Sequence, residues 1–150
     1  MPRILVIDDE APIRLLCRVN LEAEGMEVLE AANGLVGLDV ARAELPDAIL
    51  LDVMMPCLDG WQVAEQLLGD GETQHIPIVF LTARAELRDR ARGLDLGGVE
   101  YVTKPFNPLE LAPLVRRMLY GGAKRAMPSA ARLEKLATLR ALFQGERRAG

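Results

Sequence analysis

The sequence predicts an α/β fold in which a parallel sheet is covered by helices on both sides. Three observations carry this reading. Short aliphatic runs alternate with segments of helical period, the runs are apolar on both faces, and the alternation recurs five times before the chain changes character.

Ile4 to Ile7 is the first run, too short for a helix and without a polar face. From Pro12 the period changes: Ile13, Leu16, Cys17, Leu21 and Ala23 recur at helical spacing until Gly25, a suitable stop. Glu27 to Ala31 alternates like a strand. Asn33-Gly34 opens a second helix carrying Leu35, Leu38, Val40 and Ala41, with Pro46 closing it. The cycle then repeats, with Ala48 to Leu51 as strand, Trp61 to Leu68 as helix and Ile76 to Leu81 as strand. Glu86 to Leu96 follows as helix, Glu100 to Thr103 as a short strand, and a fifth helix from near Pro108 to about Leu119. Right-handed crossovers leave few strand orders open.

The 150 residues have room for one domain and an appendage, and their 50% hydrophobic content can fill a core. A net charge of −4 argues against binding nucleic acid or a membrane surface through bulk electrostatics. Cys17 and Cys57 make no disulfide framework, and His75 has no neighbour at metal-ligand spacing. With no signal peptide and no long apolar stretch, the expected location is the cytoplasm.

Gly121-Gly122 marks a boundary, so residues 1–120 read as the domain and residues 121–150 as a linker and a C-terminal helix. In that helix Leu133, Leu136, Leu139 and Phe143 recur three or four residues apart. A lone amphipathic helix cannot bury its own face. It must fold back on the domain or pair with a second copy or a partner.

In an open parallel sheet, ligands bind beyond the carboxyl ends of the strands. Strand one exits at Asp8-Asp9, strand three at Asp52, strand four at Thr82-Ala83, and strand five leads to Lys104-Pro105. Each alone has an ordinary explanation: Asp8-Asp9 as helix caps, Asp52 as a turn residue, Thr82 as a strand end, Lys104 as a solvated lysine, Tyr101 as a core edge. Together they bring three carboxylates, a hydroxyl and an ammonium to one rim. Two like charges ~4 Å apart repel by about 1 kcal/mol in water and about 4 kcal/mol at an effective dielectric of 20. The rim therefore requires a cation. An all-oxygen set without His or Cys suits Mg²⁺ before Zn²⁺. With Lys104 beside it, such a rim suits a phosphoryl group attacked by a carboxylate.

The stretches "ILVIDDE" (4–10), "DVMMPCLDG" (52–60), "VFLTA" (79–83) and "YVTKPF" (101–106) resemble the response-regulator receiver domain of bacterial two-component signalling. The resemblance spans residue 1 to about 120. It implies a flavodoxin-like, doubly wound five-stranded sheet of order 2-1-3-4-5 with five helices. It implies that Asp52 accepts a phosphoryl group from a sensor histidine kinase or phosphotransfer protein. Asp8, Asp9, Asp52 and the main-chain carbonyl of Met54 would hold Mg²⁺. Thr82, Ala83 and Lys104 would bind the phosphoryl oxygens, Tyr101 would follow Thr82, and Pro105 would follow a cis peptide bond. Met54 and Arg84 occupy the positions that tune the lifetime of the phosphorylated state, and their bulk implies moderate to slow hydrolysis. The face of the fourth helix, fifth strand and fifth helix would then change shape and control a downstream protein or self-dimerisation. On this reading the protein is no enzyme with a substrate of its own, and contacts neither nucleic acid nor membrane.

Two alternatives compete. A haloacid-dehalogenase-like phosphatase also uses a strand-end aspartate and Mg²⁺, but expects a second acid where this chain has Met54. A DNA-binding regulator needs a further domain, which some thirty residues after Gly121 do not hold. The chain is then expected to be a stand-alone receiver, or a fragment whose output domain was removed.

Overall fold

The computed structural model describes residues 1–82, 99–103, 107–120, 133–134, 136–138 and 140–141. Five strands form one sheet: β1 (Arg3–Ile7), β2 (Glu27–Ala31), β3 (Ala48–Asp52), β4 (Ile78–Thr82) and β5 (Val99–Thr103). Their order is β2-β1-β3-β4-β5, and every pairing is parallel. The helices are α1 (Ala11–Glu22), α2 (Gly34–Glu44), α3 (Gly60–Gly69) and α4 (Leu111–Leu119), the last entered through a 3₁₀ turn at Pro108–Glu110. α4 corresponds to the fifth helix counted from the sequence. The helix expected from Glu86 to Leu96 lies outside the described residues.

Strand period sorts the core into two layers, because successive side chains leave opposite faces of the sheet. Leu5, Ile7, Ile49, Leu51, Ile78 and Phe80 face α2 and α3, packing with Leu38, Ala41, Trp61, Ala64, Leu67 and Leu68. Ile4, Val6, Leu50, Val79 and Leu81 face α1 and α4, packing with Cys17, Leu21, Leu111, Val115 and Leu119. β3 and β4 are buried at every residue, as befits strands covered on both sides.

The boundaries differ from the sequence reading in instructive places. α1 ends at Glu22, with Gly25 at φ +83° closing the turn beyond it. α2 ends before Pro46 because Leu45 takes the left-handed cap conformation. β4 starts after Pro77, whose carbonyl accepts from the Ile49 N–H while its nitrogen can donate nothing. β3 includes Asp52, so the acid is the last residue of its strand.

Residues 133–134, 136–138 and 140–141 are helical. Leu136 is 2% exposed and joins the layer beneath α2 and α3, with Leu133 packed against it. Arg140 pairs with Glu65 of α3. Among the described residues, no helix is long and apolar enough to cross a membrane.

Candidate phosphoacceptor site

β1 and β3 are neighbours in register, Ile7 beside Leu51, so the residues that follow them emerge side by side. This brings Asp8 and Asp52 together from positions far apart in the chain, with Asp9 next to Asp8. One carboxylate oxygen from each of the three lies within 4.8 Å of the others. Asp8 and Asp52 are buried and Asp9 is exposed.

Local hydrogen bonds fix the two buried acids. The Glu10 N–H donates to Asp8 Oδ1 at 2.9 Å, and the Met54 N–H donates to Asp52 Oδ1 at 3.2 Å. The Asp8 N–H donates to the carbonyl of Ala31 on β2. Capping therefore explains part of the acid pair. Yet the N-cap of α1 is Glu10, which makes no side-chain cap, and Asp9 is left facing the cluster.

Three carboxylates at this spacing fit a hard divalent cation. They offer only oxygen donors, two are withdrawn from water, and their mutual repulsion has to be offset. The geometry fits Mg²⁺ held by Asp8, Asp9 and Asp52.

The loop after Asp52 is tightly built. Cys57 has φ +68°, and the Leu58 N–H donates to the Pro56 carbonyl at 2.9 Å, a three-residue turn around an exposed thiol. Asp59 then caps α3: its side chain accepts from the Gln62 N–H, and the Gln62 side chain accepts from the Asp59 N–H, both at 2.9 Å. Met54 is exposed beside the cluster.

Thr82 is fully buried at the end of β4. Asp52 pairs with Leu81, and the Val53 N–H donates to the Leu81 carbonyl, so Thr82 is one step along the strand next to Asp52. Tyr101 lies on β5 beside Phe80. Ala83, Arg84, Lys104 and Pro105 lie outside the described residues.

Two supporting residues were not anticipated from the sequence. Arg14 donates through one terminal nitrogen to the Asp8 carbonyl at 2.7 Å, and through Nε to Glu30 at 3.1 Å. It ties the first helix and the second strand to the loop that carries the acid pair. Trp61 packs on Phe80 with ring centroids 4.6 Å apart and planes tilted by 42°, joining the first turn of α3 to β4. An arginine one turn into a helix signals nothing by itself, and the Trp–Phe pair joins elements that only the fold brings together.

Known proteins share this fold. The family model of the response regulator receiver domain matches residues 4–116. The DNA-binding dual master transcriptional regulator RpaA of Synechocystis sp. is 42% identical over 119 residues, covering 79% of this chain and 49% of RpaA. The phosphate regulon transcriptional regulatory protein PhoB of Pseudomonas aeruginosa is 44% identical over 116 residues, covering 77% of this chain and 51% of PhoB. The chain thus spans about half the length of the curated relatives it matches. Among solved structures, the response regulator protein TrrA of Thermotoga maritima, in complex with Mg²⁺ and a beryllium fluoride, superposes with TM-score 0.67. It is 36% identical, with 79% of this chain and 100% of TrrA covered. The chemotaxis protein CheY4 of Vibrio cholerae gives TM-score 0.70 at 30% identity, with 79% and 99% covered.

Proposed function

This chain belongs to the response regulator receiver family, and from that premise we propose that it is a phosphorylation-dependent switch whose phosphoacceptor is Asp52. The observation that carries the proposal is the convergence of Asp8, Asp9 and Asp52 at the end of β1 and β3, within 4.8 Å. A buried acid at a strand end, flanked by two more, is costly to keep unless it serves a site.

In the proposed reaction the Asp52 carboxylate attacks the phosphorus of a phosphohistidine on a sensor kinase or phosphotransfer protein. The P–O bond forms, the P–N bond breaks, and the imidazole leaves with its electron pair. The Met54 N–H at Asp52 Oδ1 orients the carboxylate for attack. Bound Mg²⁺, held by Asp8, Asp9, Asp52 and the Met54 carbonyl, would neutralise charge on the phosphoryl oxygens. Thr82 donates its hydroxyl to the phosphoryl group, Lys104 pairs with it, and Tyr101 follows Thr82 inward. The switch then alters the surface around β5 and α4, which a protein partner or a second copy reads. Met54 and Arg84 slow the attack of water on the phosphorylated state.

Intact mass after incubation with acetyl phosphate and Mg²⁺ tests the assignment. A single phosphoryl adduct that disappears in Asp52→Ala supports it. No adduct, or one that survives the substitution, overturns it.

A second reading concerns the output. Two relatives, RpaA and PhoB, are transcriptional regulators and about twice as long as the matched segment. This supports a receiver that governs DNA binding by a further domain. Gel-shift assays on this chain fused to the DNA-binding domain of a transcriptional regulator, phosphorylated and not, test this reading: DNA binding that phosphorylation leaves unchanged overturns it.

A further inference from the structure

The docked C-terminal helix packs into the same cluster as the loop that follows Asp52. Leu136, 2% exposed, belongs to the cluster that contains Val53, Met55, Trp61 and Phe80. Val53 and Met55 flank Met54, whose N–H holds Asp52 Oδ1. Trp61 stands in the first turn of α3, one residue after Gly60 and against Phe80, and Phe80 precedes Thr82 by two residues. Leu133 packs on the same cluster, and Arg140 pairs with Glu65 on the same helix, α3. The tail therefore shares one apolar layer with residues that flank the site.

We propose that Leu136 is a positioning residue for the phosphoacceptor loop, acting through the shared cluster to hold the backbone of residues 53–55 in the geometry that binds the metal. This rests on the function proposed above. Close-packed interiors transmit strain because their side chains have few alternative arrangements. Truncating Leu136 leaves a space into which the cluster relaxes, and Val53 and Met55, which belong to that cluster, carry the Met54 peptide with them. The loop then meets the cation less well organised, and affinity falls because ordering it is charged to binding. The exposed Arg140–Glu65 pair adds registry and little energy.

The test uses the full chain and Mg²⁺ alone as the probe. Mg²⁺ is titrated against the fluorescence of Trp61, the one tryptophan in the sequence, and by calorimetry. Leu136→Ala is expected to weaken Mg²⁺ binding about fivefold, the scale of ordinary coupling between sites. Leu136→Met, which refills the space, should restore it, and Arg140→Ala should change it little. A folded Leu136→Ala protein with a lower melting temperature but unaltered Mg²⁺ affinity overturns the proposal, leaving the tail a purely structural strap. Should Leu136→Ala fail to fold, Leu136→Val is read by the same criterion. Absence of Mg²⁺ binding by the unaltered chain would overturn both this inference and the phosphoacceptor reading. Unchanged affinity in the variants overturns this inference alone.

Discussion

Gly60 lies against the backbone of Asp52: a Cβ placed on Gly60 would fall 2.4 Å from the Asp52 carbonyl oxygen and 2.8 Å from the Val53 Cα. The Gly60 N–H also donates to the Val53 carbonyl at 3.0 Å. The Asp59-Gly60 pair therefore does more than turn the chain. It lets α3 start in contact with the strand end that carries Asp52.

Gly60→Ala should cost about 3 kcal/mol, because the atoms it meets are main chain and have no rotamer to escape into. Urea denaturation measures this directly. Gly69→Ala, at the other end of α3 with nothing within 4 Å, should instead raise stability by about 0.5 kcal/mol. Equal effects at the two positions would remove the close approach as an explanation.

Cys57→Gly is expected to stabilise the protein by about 0.5 kcal/mol. An L residue at positive φ costs ~1–2 kcal/mol, partly offset by the larger chain entropy of glycine. The exposed thiol packs against little that would be lost. Cys57→Val should destabilise, since a β-branched residue suits φ +68° least. Thermal melts of the three proteins check the ranking.

Asp52→Asn removes one of three converging charges. Without Mg²⁺ the variant should be more stable than the parent by about 1 kcal/mol or more. With Mg²⁺ at about a hundred times its dissociation constant, the parent should gain about 2.7 kcal/mol and the variant much less. The crossing of the two stabilities, read by denaturation in EDTA and in excess Mg²⁺, is the diagnostic. Chelation of the metal should also abolish formation of the acyl phosphate.

Arg14→Ala should cost about 2 kcal/mol, since it deletes a charge-assisted hydrogen bond to the Asp8 carbonyl and a partly buried pairing with Glu30. Arg14→Lys should recover only part of it, because one ammonium cannot span both partners as the guanidinium does. Mg²⁺ affinity measured on Arg14→Ala should fall as well, because the loop carrying Asp8 and Asp9 loses its side-chain tie to α1 and keeps only the Asp8 N–H bond to Ala31 on β2.

Hydropathic period and turn residues placed the described elements, because both signals are local: aliphatic runs such as Ile4 to Ile7 cannot be half-exposed strands, and Pro12 or Asn33-Gly34 announce helices whatever surrounds them. Sequence likewise named Asp8, Asp9, Asp52 and Thr82, since parallel topology sends every strand's carboxyl end to one rim. It could not say that the three acids come within 4.8 Å, which depends on β1 and β3 being neighbours in register. Nor could it choose between a tail that folds back and one that seeks a partner: the spacing of Leu133 and Leu136 shows a face that must be covered, while the layer beneath α2 and α3 decides what covers it. Gly60 against Asp52, Arg14 bridging Asp8 to Glu30, and Trp61 on Phe80 belong to the same class. A sequence determines what each residue prefers of its immediate neighbours along the chain. Contacts between stacked layers depend on distances that exist only once the sheet has formed and the helices have packed on it.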